Sequence, residues 1–594
     1  MRRGPTITAA VLAGAALAAA AWWFWPPPVE PVAPPPPAPV AAATSADCAD
    51  CHRREYDSWF RTYHRTMTRD AAPDTVKGDF ADAAYEYAGV RTRATRKGDE
   101  FFLETADPGG APRTTTFRVD RVVGSHWIQE YLHRAPTGQY VRLPVLFHLG
   151  ERRWVHSHGG FLAPESPDFW AHSRGAVWNS SCLYCHNTGP RKNPLHDALG
   201  RPAGFRTEVA ELGISCEACH GPGDAHLRKQ RGDAIHPIDD VVHPGRLPVV
   251  RRDEVCGRCH GALVPRAEVW DRVTHRDPFV PGRPLEMFNH VFRSEGEQAA
   301  LAAGKPKAKE RPTPGPTDGR FWGDGTPLTT ALEFNGLQLS ACYENGGGKL
   351  SCLTCHVMHG DDPNMMLRPA ARGNDTCLSC HPSYRENLSA HTRHPADGAG
   401  SLCYSCHMPH QVYSLMTTHR SHRIQTPELA DSVGTGKPHA CNLCHLDKSL
   451  GWTKAELAKW PGAAGKRAAG VKLDADDERH SAAVLALLRG DARARAVVAG
   501  AFADPAARRA GGDDWHGAVL TRLLEEERYP VVRYLMGRAL KEPFDALASP
   551  AARRARLAEL RERYGVPVRP GIPGAAEWAR LRAGRNDPDV TVNE

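Results

Sequence analysis

The rhythm of hydrophobic and polar positions changes three times along this chain of 594 residues. From Ile7 to Trp25 no residue is charged; Arg2 and Arg3 precede the run, and Trp22, Trp23 and Trp25 close it. Such a run has the length of a membrane span with an interfacial aromatic belt. Residues 1–25 therefore read as a membrane anchor or an export signal, with small residues at Ala18–Ala21 and Ala41–Ala43 available for cleavage. A Pro-rich linker, semi-rigid and extended, fills 26–46. From about 83 to 160 the pattern turns to alternating or continuous β-branched and aromatic positions, as at Tyr85 to Tyr87, Phe101 to Thr105, Thr114 to Val123 and Tyr140 to Phe147. This predicts a small β-rich insert. Up to His445 the chain is rich in Gly, Pro and His, which predicts short helices and loops, with a low-complexity surface loop at 304–317. Beyond it the period is helical. Thr453 and Glu456 form a capping box. Apolar stripes follow at Ser481–Leu488, Val519–Glu527 and Val531–Lys541. Ser549-Pro550 opens a further helix that Gly565 and Pro567 end. An α-helical domain is expected over 454–575, either HEAT-like helix pairs or a plain bundle, with a tail at 576–594.

Cysteine changes this picture. Sixteen of the 17 cysteines fall in eight Cys-x-x-Cys-His motifs: Cys48/Cys51/His52, Cys182/Cys185/His186, Cys216/Cys219/His220, Cys256/Cys259/His260, Cys352/Cys355/His356, Cys377/Cys380/His381, Cys403/Cys406/His407 and Cys441/Cys444/His445. Chance would give roughly 0.02 copies at this composition. The motif is the attachment signature of c-type haem: two sulfurs bond the vinyl groups of one porphyrin edge, and the adjacent His takes one face of the iron. Zinc pairs need no His after the second Cys, and a disulfide framework leaves the eight histidines unexplained. The fold class expected is mainly α with irregular loops: an octahaem domain over 47–450 carrying the β-rich insert, then the helical domain. The porphyrins supply apolar filling, so this region needs little ordinary core.

The formal charge of +7 does not point to nucleic acid. Each ferric haem with ionised propionates adds about −1, which brings the holoprotein to roughly −1. Because c-type haem is attached outside the bacterial cytoplasm, the body is expected in the periplasm, held to the inner membrane by the N-terminal segment.

Each iron needs a second axial ligand or stays open. Twenty further histidines lie within 52–445. His359 and His410 each follow a motif His by three positions, and a helical turn would carry their rings towards a neighbouring haem. His391, His394 and His422 bracket the seventh motif; Tyr56, Trp59 and His64 follow the first. Met408 is too near His407 to reach the same iron. Cys342, the one cysteine outside a motif, is a candidate catalytic residue or an inert thiol.

The stretch from Cys48 to His64 resembles the opening of the cytochrome c-554 family. Gly213 to His226 resembles the element shared by that family and the octahaem hydroxylamine oxidoreductase relatives. The Cys-x-x-Cys-His-x-x-His elements resemble doubled-CxxCH cytochromes. This resemblance implies His64, His226, His359, His394, His410 and His422 as distal ligands. The Cys-x-x-Cys-Lys haem site of pentahaem nitrite reductases is absent, which counts against that activity.

The function expected is electron transfer along a haem chain, with redox partner proteins or quinone-pool dehydrogenases as partners and no nucleic acid. Its rival is an oxidoreductase acting on a small nitrogen or sulfur compound at one five-coordinate haem. A helical scaffold with merely structural haems is a third reading, against which eight cofactors argue. The denatured protein, matured in a competent host, is expected to weigh eight haem masses more than the bare chain; mass spectrometry showing six or fewer would contradict the motif reading.

Overall fold

A computed structural model describes residues 43–106, 114–165, 177–232, 241–270, 277–303, 305, 319–585 and 587–591. The expected anchor at 7–25, almost all of the linker and nearly all of the 304–317 loop lie outside the described residues. Among those described, no helix is long and apolar enough to cross a membrane. Residues from 38 onwards form one compact unit.

Nine strands occupy the region between the first two motifs. β2 (Ala81–Tyr87), β3 (Val90–Lys97), β4 (Glu100–Ala106) and β5 (Thr114–Val119) make an antiparallel meander. β1 (Thr68–Asp70), β6 (Arg121–Val123), β7 (Ile128–Arg134), β8 (Tyr140–His148) and β9 (Arg153–His156) make a second antiparallel sheet in that order. Register follows the alternation: Phe101 pairs with Val119 and Leu103 with Phe117, and the buried residues of β4 are Phe101, Leu103 and Thr105. β8 breaks the alternation, being buried throughout Leu143–His148. It lies between two cores. Leu143, Val145 and Phe147 join Phe80, Tyr131 and Trp154, whereas Leu146 joins the core of the C-terminal helices. A strand covered on both faces has no polar face to show.

Residues 450–583 hold ten helices. Their apolar stripes meet in the largest core, which includes Leu485, Leu488, Val497, Phe502, Leu520, Leu523, Val532, Leu535, Leu557 and Leu560. Each such fully buried side chain contributes roughly 1.5–3 kcal/mol. The first of these helices starts earlier than the capping box at Thr453 implied. Leu450–Ala458 is capped by Ser449, whose side chain accepts the Trp452 N–H. Thr453 lies inside, buried, and its hydroxyl donates to Asn442 Oδ1 at 2.7 Å. A partner in the last motif thus outcompetes the capping role. Pro550–Tyr564 has Ser549 as cap and Gly565 (φ 68°) at its end, and Ala575–Ala583 falls where a tail was expected. This region shares its core with β2 and β7–β9.

The haem-motif region is packed differently. From Gly346 to His410, Leu378 and Pro409 are the buried apolar residues. A chain that folds over this length with so little apolar core draws its core from attached groups. Polar ties add to it. Asp324 accepts from Arg423 at 2.6 Å and from Lys437 at 2.7 Å, and the Lys437 side chain is 2% exposed. Asp324→Ala would strand two cations and is expected to lower stability by about 3–5 kcal/mol. Arg93→Ala, which breaks a fully exposed pair with Asp82, is expected to leave stability nearly unchanged. Denaturation midpoints of the two variants, read by circular dichroism, check the contrast.

Candidate haem centres

Each motif is closed by a single helical turn. The His52 N–H donates to the Cys48 carbonyl at 2.8 Å, and the same bond recurs at His186 (3.0 Å), His260 (2.9 Å), His356 (3.0 Å), His381 (3.0 Å) and His445 (2.8 Å). The other two motifs form the helices Cys216–His220 and Cys403–His407. Positions i, i+3 and i+4 of a turn share one face. Both sulfurs and the imidazole therefore project to the same side, as one porphyrin edge and its iron require.

Six motif histidines face a second histidine ring. Centroid separations are 6.4 Å for His52–His226, 6.3 Å for His220–His359, 6.3 Å for His260–His64, 6.3 Å for His356–His422, 6.3 Å for His407–His391 and 6.0 Å for His445–His394. An iron between two imidazoles needs a bond of about 2 Å on each side plus about 1 Å to each ring centre, roughly 6 Å in all. Bare contact between rings does not hold that distance repeatedly. The residues fit haem. Five pairs have ring planes within 1–30° of parallel, whereas His64 and His260 stand at 88°.

Many of these rings are held by their other nitrogen, which leaves Nε2 for a metal. Nδ1 bonds backbone carbonyls at His220 (Val242, 2.8 Å), His356 (Met365, 3.0 Å), His407 (Gln425, 2.9 Å), His359 (Glu55, 3.2 Å) and His394 (Thr392, 2.6 Å). His260 differs: its Nδ1 meets the Glu333 carboxylate at 2.8 Å. Burial opposes charge on both members of this pair, yet their hydrogen bond and mutual attraction prevail and hold Glu333 down to about 2 and His260 up to about 9. Burial brings His64 to about 4, helped by His260 and His356, and His186 to about 4, helped by Arg142.

Motif sulfurs lie near one another across sequence. Cys48 neighbours Cys216, Cys185 neighbours Cys259, Cys256 neighbours Cys352 and Cys377 neighbours Cys403. Cys219 is within electrostatic reach of Cys256 and Cys259, Cys377 of Cys355, and Cys441 of Cys406. Thioether formation removes the S–H groups; the proximity remains.

Two of the sixteen expected haem-bonding cysteines depart from this enclosed setting. Cys51 and Cys380 are exposed, whereas the other fourteen are partly buried. The cause at Cys51 is local. The helix Ser45–Ala49 carries Cys48 inward to Cys216 and then ends, which leaves Cys51 in the turn that follows, on the outer rim of the first site. Cys380 likewise closes the helix Asp375–Cys380 at the surface. In both motifs the first sulfur meets another motif and the second faces solvent.

Of the six expected distal ligands, His64, His226, His359, His394 and His422 stand opposite a motif histidine. His410 does not. The helix Cys403–His407 ends before Pro409, whose ring disfavours helix at Met408. The chain then enters the strand His410–Ser414, and the His410 ring bonds Thr418 Oγ1 at 3.3 Å. His391 faces His407 instead. His391 and His394 part company because Arg393 between them is left-handed (φ 61°), ending the helix Leu388–Thr392. Gly400 makes room, since a Cβ there would lie 2.5 Å from the His394 ring. Two rings three residues apart, between two motifs, were the signal for this double placement. Tyr56 stacks on Phe60, and the Trp59 Nε1–H donates to the Ile214 carbonyl at 2.8 Å. Cys342 sits on the helix Ala341–Asn345, within electrostatic reach of Cys377. Glu333 carried no sequence signal, since nothing in its neighbourhood distinguishes it from a helix-start acid. Among the described residues, no histidine ring faces His186 or His381. His381 is exposed, with Tyr384 at 6.2 Å.

Residues 170–221 match the family described as cytochrome c554 and c-prime, and residues 345–386 match the doubled CXXCH motif family. With eight attachment motifs around these segments, the chain is a multihaem c-type cytochrome. Among individual proteins, it is 21% identical over 386 residues to the dissimilatory sulfite reductase MccA of Wolinella succinogenes, a match covering 56% of this chain and 49% of that one. The chain thus spans about half the length of the curated relative it matches. The outer cell wall cytochrome OcwA aligns with a TM-score of 0.44 at 17% identity, over 83% of this chain and 98% of that one. The undecaheme cytochrome from the S-layer of Carboxydothermus ferrireducens aligns with a TM-score of 0.33 at 16% identity, over 89% and 70%.

His391→Ala is expected to convert one low-spin haem to high-spin while every haem stays attached. His410→Ala is expected to leave the spin states unchanged. Electron paramagnetic resonance of both variants distinguishes this pairing from one in which His410 binds iron.

Proposed function

We propose that this chain is an exported electron-transfer cytochrome carrying eight covalent c-type haems in a branched array. The observation that carries the reading is the proximity of sulfurs from different motifs. They link the sites in the order Cys48, Cys216, Cys256, Cys352, Cys377, Cys403, Cys441, with the Cys182 site attached at Cys256. Haems bonded to neighbouring sulfurs would come within tunnelling reach of one another. The haem, when attached, supplies a one-electron couple; the protein supplies spacing, ligation and electrostatics. His226, His359, His64, His422, His391 and His394 would hold the second face of the haem at six sites. The exposed Cys377 site, whose His381 and Cys380 both reach the surface, is a place for exchange with a redox partner. Residues 1–25 anchor the body to the inner membrane with the arginines inside. The helical region buttresses the last two sites: Trp460 Nε1–H donates to the His391 carbonyl at 3.0 Å, and the Trp452 ring lies 4.9 Å from that of His445.

A second reading has one specific observation in its favour. His186 is buried, faces no described histidine ring, and feels the charge of Arg142. An open iron there would suit a small nitrogen or sulfur oxyanion, and the curated relative is named a sulfite reductase. Cys342, beside the Cys377 site, is then a bystander.

Resonance Raman and paramagnetic resonance are expected to show six bis-His low-spin haems and at most two high-spin ones. Rapid reduction of the whole array through a redox dye, with no turnover of sulfite, nitrite or hydroxylamine, supports the wire. Turnover accompanied by loss of a high-spin signal on adding substrate would replace it with the oxidoreductase, and eight low-spin haems would eliminate the second reading.

A further inference from the structure

The Cys256 site differs from the others in three independent respects. Its sulfurs neighbour those of three other motifs, through Cys185, Cys219 and Cys352. Its histidine pair, His64 and His260, is orthogonal where the five others are near parallel. Its motif histidine bonds a carboxylate, where His220, His356 and His407 bond backbone carbonyls.

Glu333 is fixed for that contact. It is the first residue of the helix Glu333–Gln338. Its Oε1 accepts the Ala331 N–H at 3.1 Å, while Oε2 takes His260 Nδ1. Ala331 presents that N–H from a left-handed conformation (φ 61°), which alanine ordinarily avoids. The next amide, Phe334 N–H, donates to the His260 carbonyl at 2.9 Å. Asn335 Oδ1 accepts from Ala262 N–H at 2.8 Å. Three consecutive residues therefore clamp this motif, and the carboxylate is the one aimed at the ring.

We infer that Glu333 is a positioning residue that sets the reduction potential at the branch point of the array. A charged acceptor on Nδ1–H makes a stronger hydrogen bond than a carbonyl and raises the basicity of the ring as a metal ligand. A more basic ligand favours the ferric over the ferrous state, so this centre sits lower in potential than it would with a carbonyl acceptor. Every electron passing between the Cys48–Cys216 arm, the Cys352–Cys441 arm and the Cys182 branch crosses it. Each crossing moves a single electron from a ferrous neighbour to ferric iron at this site and on to the next, with no other reactant. Glu333 thereby governs how readily the arms exchange electrons. The inference rests on the axial pairing and site order proposed above.

The orthogonal pair supplies its own label. Crossed imidazole planes leave the two iron orbitals that carry the ferric hole nearly degenerate, which gives one low-spin resonance with an unusually large g value. Near-parallel pairs give ordinary rhombic signals. The test is a potentiometric titration of the haem-loaded full chain, followed by paramagnetic resonance. In Glu333→Gln the midpoint of the large-g signal is expected to move positive while the rhombic signals keep theirs. In Glu333→Asp, which keeps the charge on a shorter arm, the shift is expected in the same direction and smaller. An unchanged midpoint in a fully loaded Gln variant overturns the inference. If that variant yields no loaded protein, the Asp variant decides, and an unchanged midpoint there overturns it equally. The underlying pairing is checked separately by His64→Ala. Loss of the large-g signal supports the pairing, whereas its persistence removes the pairing and the inference with it.

Discussion

The separation of about one iron and two bonds between six pairs of histidine rings organises the rest of the molecule. Each pair joins segments that are far apart in sequence: 52 with 226, 64 with 260, 220 with 359, 356 with 422. A chain whose buried apolar side chains between Gly346 and His410 are Leu378 and Pro409 cannot hold such registration by ordinary packing. On the reading proposed above, attached haems would supply the apolar mass and their bonds to the facing imidazoles would supply direction. Backbone carbonyls on Nδ1 and the single-turn geometry of each motif then aim the rings. The short helices are consequences of this arrangement: most are no longer than a motif needs to bring two sulfurs and one imidazole to one side.

The C-terminal helices obey different physics and serve the same end. Their stripes of Leu, Val and Ala make a conventional core, which extends onto one face of the second sheet through Leu146 and Val155. That core is the part able to hold shape without a cofactor. Its contacts reach the array at the His391 carbonyl through Trp460, at His445 through Trp452, and at Asn442 through Thr453. A rigid apolar body is thus set against the haem sites that the sparse region holds least well.

What could be read from the sequence divides along the same line. The motifs were legible because covalent attachment demands fixed local spacing, and the helical stripes because a 3.6-residue period needs no partner to be visible. The unequal exposure of Cys51 and Cys380 was not legible, since a motif reads the same at the rim of the array as inside it. The two sheets were legible as strand character; the burial of β8 on both faces was not, since its second cover comes from residues some 350 positions later. The facing histidine rings were partly legible. His64, His226, His359, His394 and His422 lie near motifs in recognisable settings. His391 and His410 competed for His407, and Pro409 and the left-handed Arg393 settled the geometry. Glu333 was invisible, because a carboxylate that bonds a ring 73 positions away leaves no local pattern.

The interlocking of the pairs also bears on how the protein is made. On the axial assignment proposed above, a chain emerging from its N-terminus carries its first iron with one axial partner until residue 226 has followed, and the iron at His220 waits for residue 359. The final two sites close almost at once, because His391 and His394 precede the motifs they serve. On that assignment the His52 and His220 motifs would wait longest for their second ring, and the His356 motif less long. On the same assignment, a chain broken off near residue 340 would keep the His52–His226 and His64–His260 pairs and leave the His220 site without its second ring.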